Sequence, residues 1–99
     1  MYKKYLLQKK MQSKPITIIN KLGLHARAAA RLVQLASSYD SEINVSLNGK
    51  KVSGKSIMGI MMLAASKGTT IEITTAGNDE EEAMHQLEEL IMDKFGETE

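Results

Sequence analysis

The sequence predicts one α+β domain with helices covering one face of a sheet. Two periodicities and their order carry that prediction. Apolar residues alternate with a period of two in three short segments and recur at helical spacing in three others. An Asn-Gly pair adds a returning strand, and the elements follow as β-α-β-β-α-β-α. With 99 residues, 42% of them hydrophobic, the chain suffices for one core and is too short for two.

Pro15 opens the patterned region, and Ile16 and Ile18 alternate with Thr17 as a first strand. From Ala26 the period lengthens. Ala29, Leu32, Val33 and Ala36 share one helical face, with Arg27, Arg31 and Gln34 elsewhere, and Ser37, Ser38 and Asp40 end the helix. Ile43, Val45 and Leu47 alternate with Asn44 and Ser46 as a second strand. Asn48-Gly49, both tolerant of positive φ, then closes a tight hairpin to a short strand over 50–53.

Ser56 is a suitable N-cap for a second helix expected through Ser66, with Ile60, Leu63 and Ala64 turned inward and Lys67-Gly68 as its stop. Thr69 to Thr75 form the last strand, with Ile71 and Ile73 on one face. Gly77-Asn78-Asp79 begins the final helix. Its first turn holds Asp79, Glu80, Glu81 and Glu82, which suits the positive helix end, and Ala83, Leu87, Leu90 and Ile91 form its buried stripe. The domain is expected over 15–96.

Residues 1–14 carry five of the thirteen basic residues and no acid, leaving eight basic against twelve acidic residues in the body. This segment reads as a basic, flexible N-terminal extension, within which Met11 offers an alternative start. Tyr5, Leu6 and Leu7 are too few for the apolar core of a secretory signal, and no apolar stretch would span a bilayer. The mildly acidic body argues against nucleic acid as a partner. There is no cysteine, which excludes disulfides and thiolate metal sites, and His25 and His85 lie too far apart in sequence for a metal motif.

His25 stands between the Gly23 turn and the first helix, as its N-cap or next to it. The first backbone N–H groups of that helix have no internal partner, and the dipole there favours negative charge. A phosphate on the ring would be met by those amides and by Arg27, and a neutral imidazole is a competent nucleophile. Ala26, Ala28, Ala29 and Ala30 are expected to leave the approach to the ring open. Taken alone, a histidine that merely caps a helix is the plainer reading of this position.

Two blocks change that reading. GLHARAAA at 23–30 resembles the active-site signature of the HPr family of phosphocarrier proteins, the histidine-containing proteins of the phosphoenolpyruvate-dependent phosphotransferase system. GKSIMGIMMLAASKG at 54–68 resembles that family's second-helix region, and the resemblance spans 15–96 with the same element order. It implies an open-faced sandwich, a four-stranded antiparallel sheet covered on one face by three helices. It also implies that enzyme I phosphorylates His25 on its δ1 nitrogen, that Arg27 neutralises the phosphoryl group, and that an enzyme IIA component receives it. Ser56 corresponds to a serine that a kinase phosphorylates, and a phosphorylase restores, in some bacteria. Leu24, Ile57, Met58 and Met61 correspond to the surface that partners cover.

The resemblance further implies a cytoplasmic monomer without cofactor or metal, a carrier that does not turn over alone. Soft methionine side chains suit serial binding of several partners. Ser56 as a plain N-cap is worth about 1 kcal/mol without any regulation. His85 is expected on the solvated face of the last helix. The chain departs from the family at Ala28, where most members have proline, which bears on transfer kinetics. KLGLHAR and AASKG resemble proteobacterial members, among which regulatory branches are frequent alongside sugar uptake. A non-catalytic regulatory binding protein controlled through Ser56 is the alternative, although relatives of that type lack the histidine kept here. An RNA-binding module of similar element order would need stacking aromatics on its strands and a basic body.

Overall fold

Isoleucines set the sheet. The computed structural model describes residues 11–99, with strands β1 (Gln12–Thr17), β2 (Glu42–Leu47), β3 (Lys50–Ser53) and β4 (Thr70–Ala76). All pairings are antiparallel, in the order β1-β4-β2-β3. Central β4 places Ile71 opposite Ile16 and Ile73 opposite Val45, so one face becomes an apolar row buried with Ile43. The other face carries Thr17, Thr70, Asn44, Ser46 and Glu72, and the Thr17 and Thr70 hydroxyls meet across it at 2.8 Å. Asn48 and Gly49 both adopt positive φ, at 52° and 82°, as the expected tight hairpin turn requires.

Three helices cover the apolar face: α1 (Ala26–Ser37), α2 (Ile57–Met62) and α3 (Glu80–Met92). Helix α1 buries Ala28, Ala29, Leu32 and Ala36, while Val33 packs only at the fringe. Helix α3 buries Ala83, Met84, Leu87 and Ile91, with Leu90 partly buried. Its first turn is organised differently from a plain acidic cap. Glu80 accepts from the Gly77 amide at 2.9 Å, and Asp79 reaches to the Asp40 and Ser41 amides at 2.9 and 3.0 Å. No helix among the described residues is long and apolar enough to cross a membrane.

Two expected boundaries are corrected. Strand β1 starts at Gln12 rather than Pro15, so residues 12–14 of the expected extension pair with Thr75, Thr74 and Ile73. Pro15 sits inside this strand because β1 is an edge, where a missing N–H breaks no ladder. Residues 1–10, on which the rest of the flexible-extension reading falls, lie outside the described residues.

Helix α2 stops at Met62 instead of Ser66, and Ala64 is exposed rather than inward. Ala64 turns left-handed, at φ 52°, and the Ala65 carbonyl then accepts from the Leu24 amide at 2.9 Å. That long-range bond pulls the segment out of helix and ties it to the loop before α1.

A one-turn 3-10 segment, Lys94–Gly96, follows α3. Lys94 and Phe95 are left-handed there, and Phe95 is fully buried. This anchored reversal sends the last residues back toward the start of α1.

Candidate functional site

The loop between β1 and α1 is built on Asn20, which is fully buried. Its side-chain amide donates to the Gly23 carbonyl at 2.9 Å, and the Gly23 amide donates back to the Asn20 carbonyl at 3.2 Å. Gly23 has φ 68°, and a Cβ there would lie 2.5 Å from the Ala65 carbonyl oxygen. Only glycine fits both the dihedral and the close approach.

His25 is the N-cap of α1, with φ −74° and ψ 179°. Its carbonyl accepts from Ala29 at 2.8 Å and so starts the helix, but its side chain makes no capping bond. Among the described residues the amides of Ala26, Arg27 and Ala28 have no hydrogen-bond partner, which leaves the positive end of α1 open. The ring instead meets Glu97, with Nε2 at 2.6 Å from Oε2. The Asn20 amide donates to the other oxygen of Glu97 at 3.0 Å.

Glu97 keeps only 13% of its side chain exposed. Burial pushes its carboxyl pKa up. Hydrogen bonds from Asn20 and His25 and the charges of His25 and Arg27 outweigh burial and hold it below the ordinary value of 4.5. An ionised carboxylate only accepts, so the proton on this contact belongs to His25 Nε2. In the neutral ring the lone pair then lies on Nδ1.

A cavity of about 660 Å³ opens beside the ring, walled by Lys21, Leu22, Arg27 and Arg31 and by residues 96–99. Arg27 is exposed on the first turn of α1. Arg31 donates to the Phe95 carbonyl and so holds the returning tail, while the Lys21 amide donates to the Glu99 carbonyl at 2.7 Å.

His25 and Arg27 therefore stand together on one cavity wall. Two expectations need correction. Leu24 is only 4% exposed and belongs to the core, because its amide is drawn inward onto Ala65, so it presents no surface to a partner. Ala28 and Ala29 are likewise fully buried, so only Ala26 and Ala30 flank the open side of the helix start.

Ile57, Met58 and Met61 are exposed on α2, and so is Met62, which follows Met58 by four residues and should have been read with it. Leu22, at 66% exposed, is the apolar residue beside the ring that sequence reasoning missed. Asn20 and Glu97 were missed too. They lie 77 positions apart, and no local pattern announces their contact. Ser56 caps α2, its hydroxyl accepting from the Gly59 amide at 3.0 Å. His85 is exposed on α3, 3.3 Å from Glu89.

Comparisons with known proteins converge on one family. Residues 12–93 match the family model described as the PTS HPr component phosphorylation site. The chain is 57% identical over 89 residues to the phosphocarrier protein HPr of Neisseria meningitidis, and 55% identical over 89 residues to that of Cupriavidus necator. Each alignment covers 90% of this chain and all of the relative. The crystal structure of an HPr from Thermoanaerobacter tengcongensis superposes with a TM-score of 0.86 at 50% identity, covering 89% of this chain and 99% of that one.

Proposed function

The chain belongs to the HPr family of the phosphotransferase system, and from that premise we propose that it takes a phosphoryl group onto His25 Nδ1 from enzyme I and yields it to an enzyme IIA component, in a sugar-uptake or a regulatory branch. The observation that carries this reading is the imidazole at the open end of α1, whose Nε2 meets Glu97 at 2.6 Å and leaves Nδ1 outside that contact.

A carrier needs a nucleophile that accepts and releases phosphoryl groups readily, so an exposed cavity wall serves better than a sealed pocket. The three unpartnered amides and the helix dipole favour a dianion there, the dipole alone by about 0.3–1 kcal/mol per charge. Arg27 adds an exposed cation at the cavity wall. The remaining catalytic groups would come from the partner enzymes, which dock on the apolar surface of Leu22, Ile57, Met58, Met61 and Met62. As such a relay the protein would work in the cytoplasm.

Ser56 is a second phosphorylatable position in this reading. A phosphate on its hydroxyl would bring about −1.5 to −2 charges next to Ile57 and Met58 and weaken docking. A purely regulatory protein controlled only through Ser56 would leave the tie between His25 and Glu97 without a use, so the carrier reading is preferred.

Incubation with phosphoenolpyruvate and a cognate enzyme I tests the proposal. The expected product is an acid-labile, alkali-stable phosphate, absent from His25→Ala. No uptake by the wild type, or equal uptake by His25→Ala, would refute it.

A further inference from the structure

Sulfur in this chain is confined to methionine. The sequence has seven methionines and no cysteine, so a two-electron oxidant meets thioethers and no thiol. Their placement is uneven. Met58, Met61 and Met62 crowd into the six residues of α2, at 70%, 40% and 64% exposure, and their spacing makes Met58 a neighbour of both others. Ile60 is the residue that α2 buries, so none of these methionines belongs to the core. Met84 of α3 does, at 4% exposure. Met92 is exposed, but it lines a groove with Leu35, Gln86 and Leu90 that includes no residue of α2 or of the His25 loop. The fold therefore does not require thioethers on α2, where leucine has a similar volume.

Resting on the phosphocarrier reading, in which α2 docks the partner enzymes, we propose that Met58, Met61 and Met62 form an oxidation-sensitive modification site. Hydrogen peroxide converts them to sulfoxides and uncouples His25 from its partners, leaving the imidazole and the core intact.

In the step, a lone pair on the thioether Sδ attacks one peroxide oxygen, the S–O bond forms and the O–O bond breaks. The departing hydroxide takes the proton of the transferred oxygen, so peroxide is reduced to water and sulfur is oxidised by two electrons. A methionine sulfoxide reductase reverses the change: two of its thiols become a disulfide and the oxygen leaves as water. The sulfoxide oxygen accepts hydrogen bonds, and burying it in an apolar contact without a donor is unfavourable. The docked state loses affinity. The free protein, whose α2 methionines already face water, keeps its stability, and burial shields Met84.

The test treats the full chain with hydrogen peroxide, removes the peroxide, and assays phosphorylation with phosphoenolpyruvate and untreated enzyme I. Peptide mass mapping should place one added oxygen on each of Met58, Met61 and Met62 and none on Met84 or His25. The KM for this protein should rise about 10-fold while kcat stays within about 2-fold, as expected when docking is lost and the reacting group is intact. The urea midpoint should not move, and the two stereospecific methionine sulfoxide reductases should restore KM. A triple variant carrying Met58→Leu, Met61→Leu and Met62→Leu, compared with its own untreated sample, should show no peroxide-dependent rise. Met92→Leu should respond as the wild type does.

An unchanged KM after mapped oxidation of all three methionines overturns the proposal. So does an equal rise in the triple variant, which would place the effect elsewhere, or a lowered urea midpoint, which would mean that oxidation acts on the fold. If the untreated wild type takes no phosphate, the carrier reading fails and the proposal with it. Uptake with a peroxide-insensitive KM sinks the proposal alone, so the two failures are distinguishable.

Discussion

His25 owes its chemistry to three neighbours that act through different physics. Gly23 permits the turn, the open amides of α1 supply positive potential, and Glu97 meets the ring at Nε2. Ala28 belongs to the same group, as the third helical residue, with its amide unbonded and its methyl in the core. Proline is tolerated in a first helical turn because the lost N–H has no intrahelical partner. The Ala28→Pro variant is expected to fold, to lose one donor to the phosphoryl group, and to change the transfer rate less than 10-fold. A wild type that takes phosphate only after Ala28→Pro would contradict this. Gly23→Ala should be far more damaging. Its Cβ meets backbone atoms at 2.5 and 2.8 Å and φ is positive, so a loss of at least about 2 kcal/mol is expected in urea unfolding.

At the scale of elements, helix α2 is the most instructive. Ser56 begins it as the sequence suggests, and its hydroxyl bond to Gly59 should make Ser56→Ala cost about 1 kcal/mol by chemical denaturation, with phosphorylation assays unaffected at His25. Its end was not legible. Nothing in LAAS opposes helix, and the apolar spacing continues through Leu63 and Ala64. What ends α2 is the bond from the Leu24 amide to the Ala65 carbonyl, a contact between segments 41 positions apart that no local propensity encodes.

The same bond explains why Leu24 lies in the core and not at the expected surface, since it draws the residue before His25 inward. Element order and helix count follow from periodicity, because the period separates strands from helices and each leaves one apolar face to bury. Residues 12–14 were lost to the extension because edge-strand polarity hides the alternation. The Glu97 end of the site was invisible for another reason. It depends on the left-handed reversal at Lys94 and Phe95, residues with no turn signature.

The molecule as a whole is closed by two carboxylates that each join distant segments. Glu97 ties the tail to the Asn20–His25 loop, and Asp79 ties the start of α3 to the turn before β2. Hydrogen bonds from the Ser41 hydroxyl and the Asp40 and Ser41 amides outweigh desolvation at Asp79 and hold its carboxyl below the ordinary 3.8. Both groups therefore have lower values folded than unfolded, so the unfolded chain binds more protons in acid. Their stabilisation is fully present above their ordinary values of 4.5 and 3.8, and it is lost as pH falls through the lower folded values. Urea midpoints measured between pH 7 and pH 2.5 should accordingly decline on the acid side. Asp79→Asn and Glu97→Gln should each be less stable than the wild type at pH 7, and each difference should shrink as the pH drops and the wild-type carboxyl protonates. A gap that stayed constant from neutral to acid pH would mean that neither contact depends on charge. The tail would then be held by Phe95 and the backbone bonds alone.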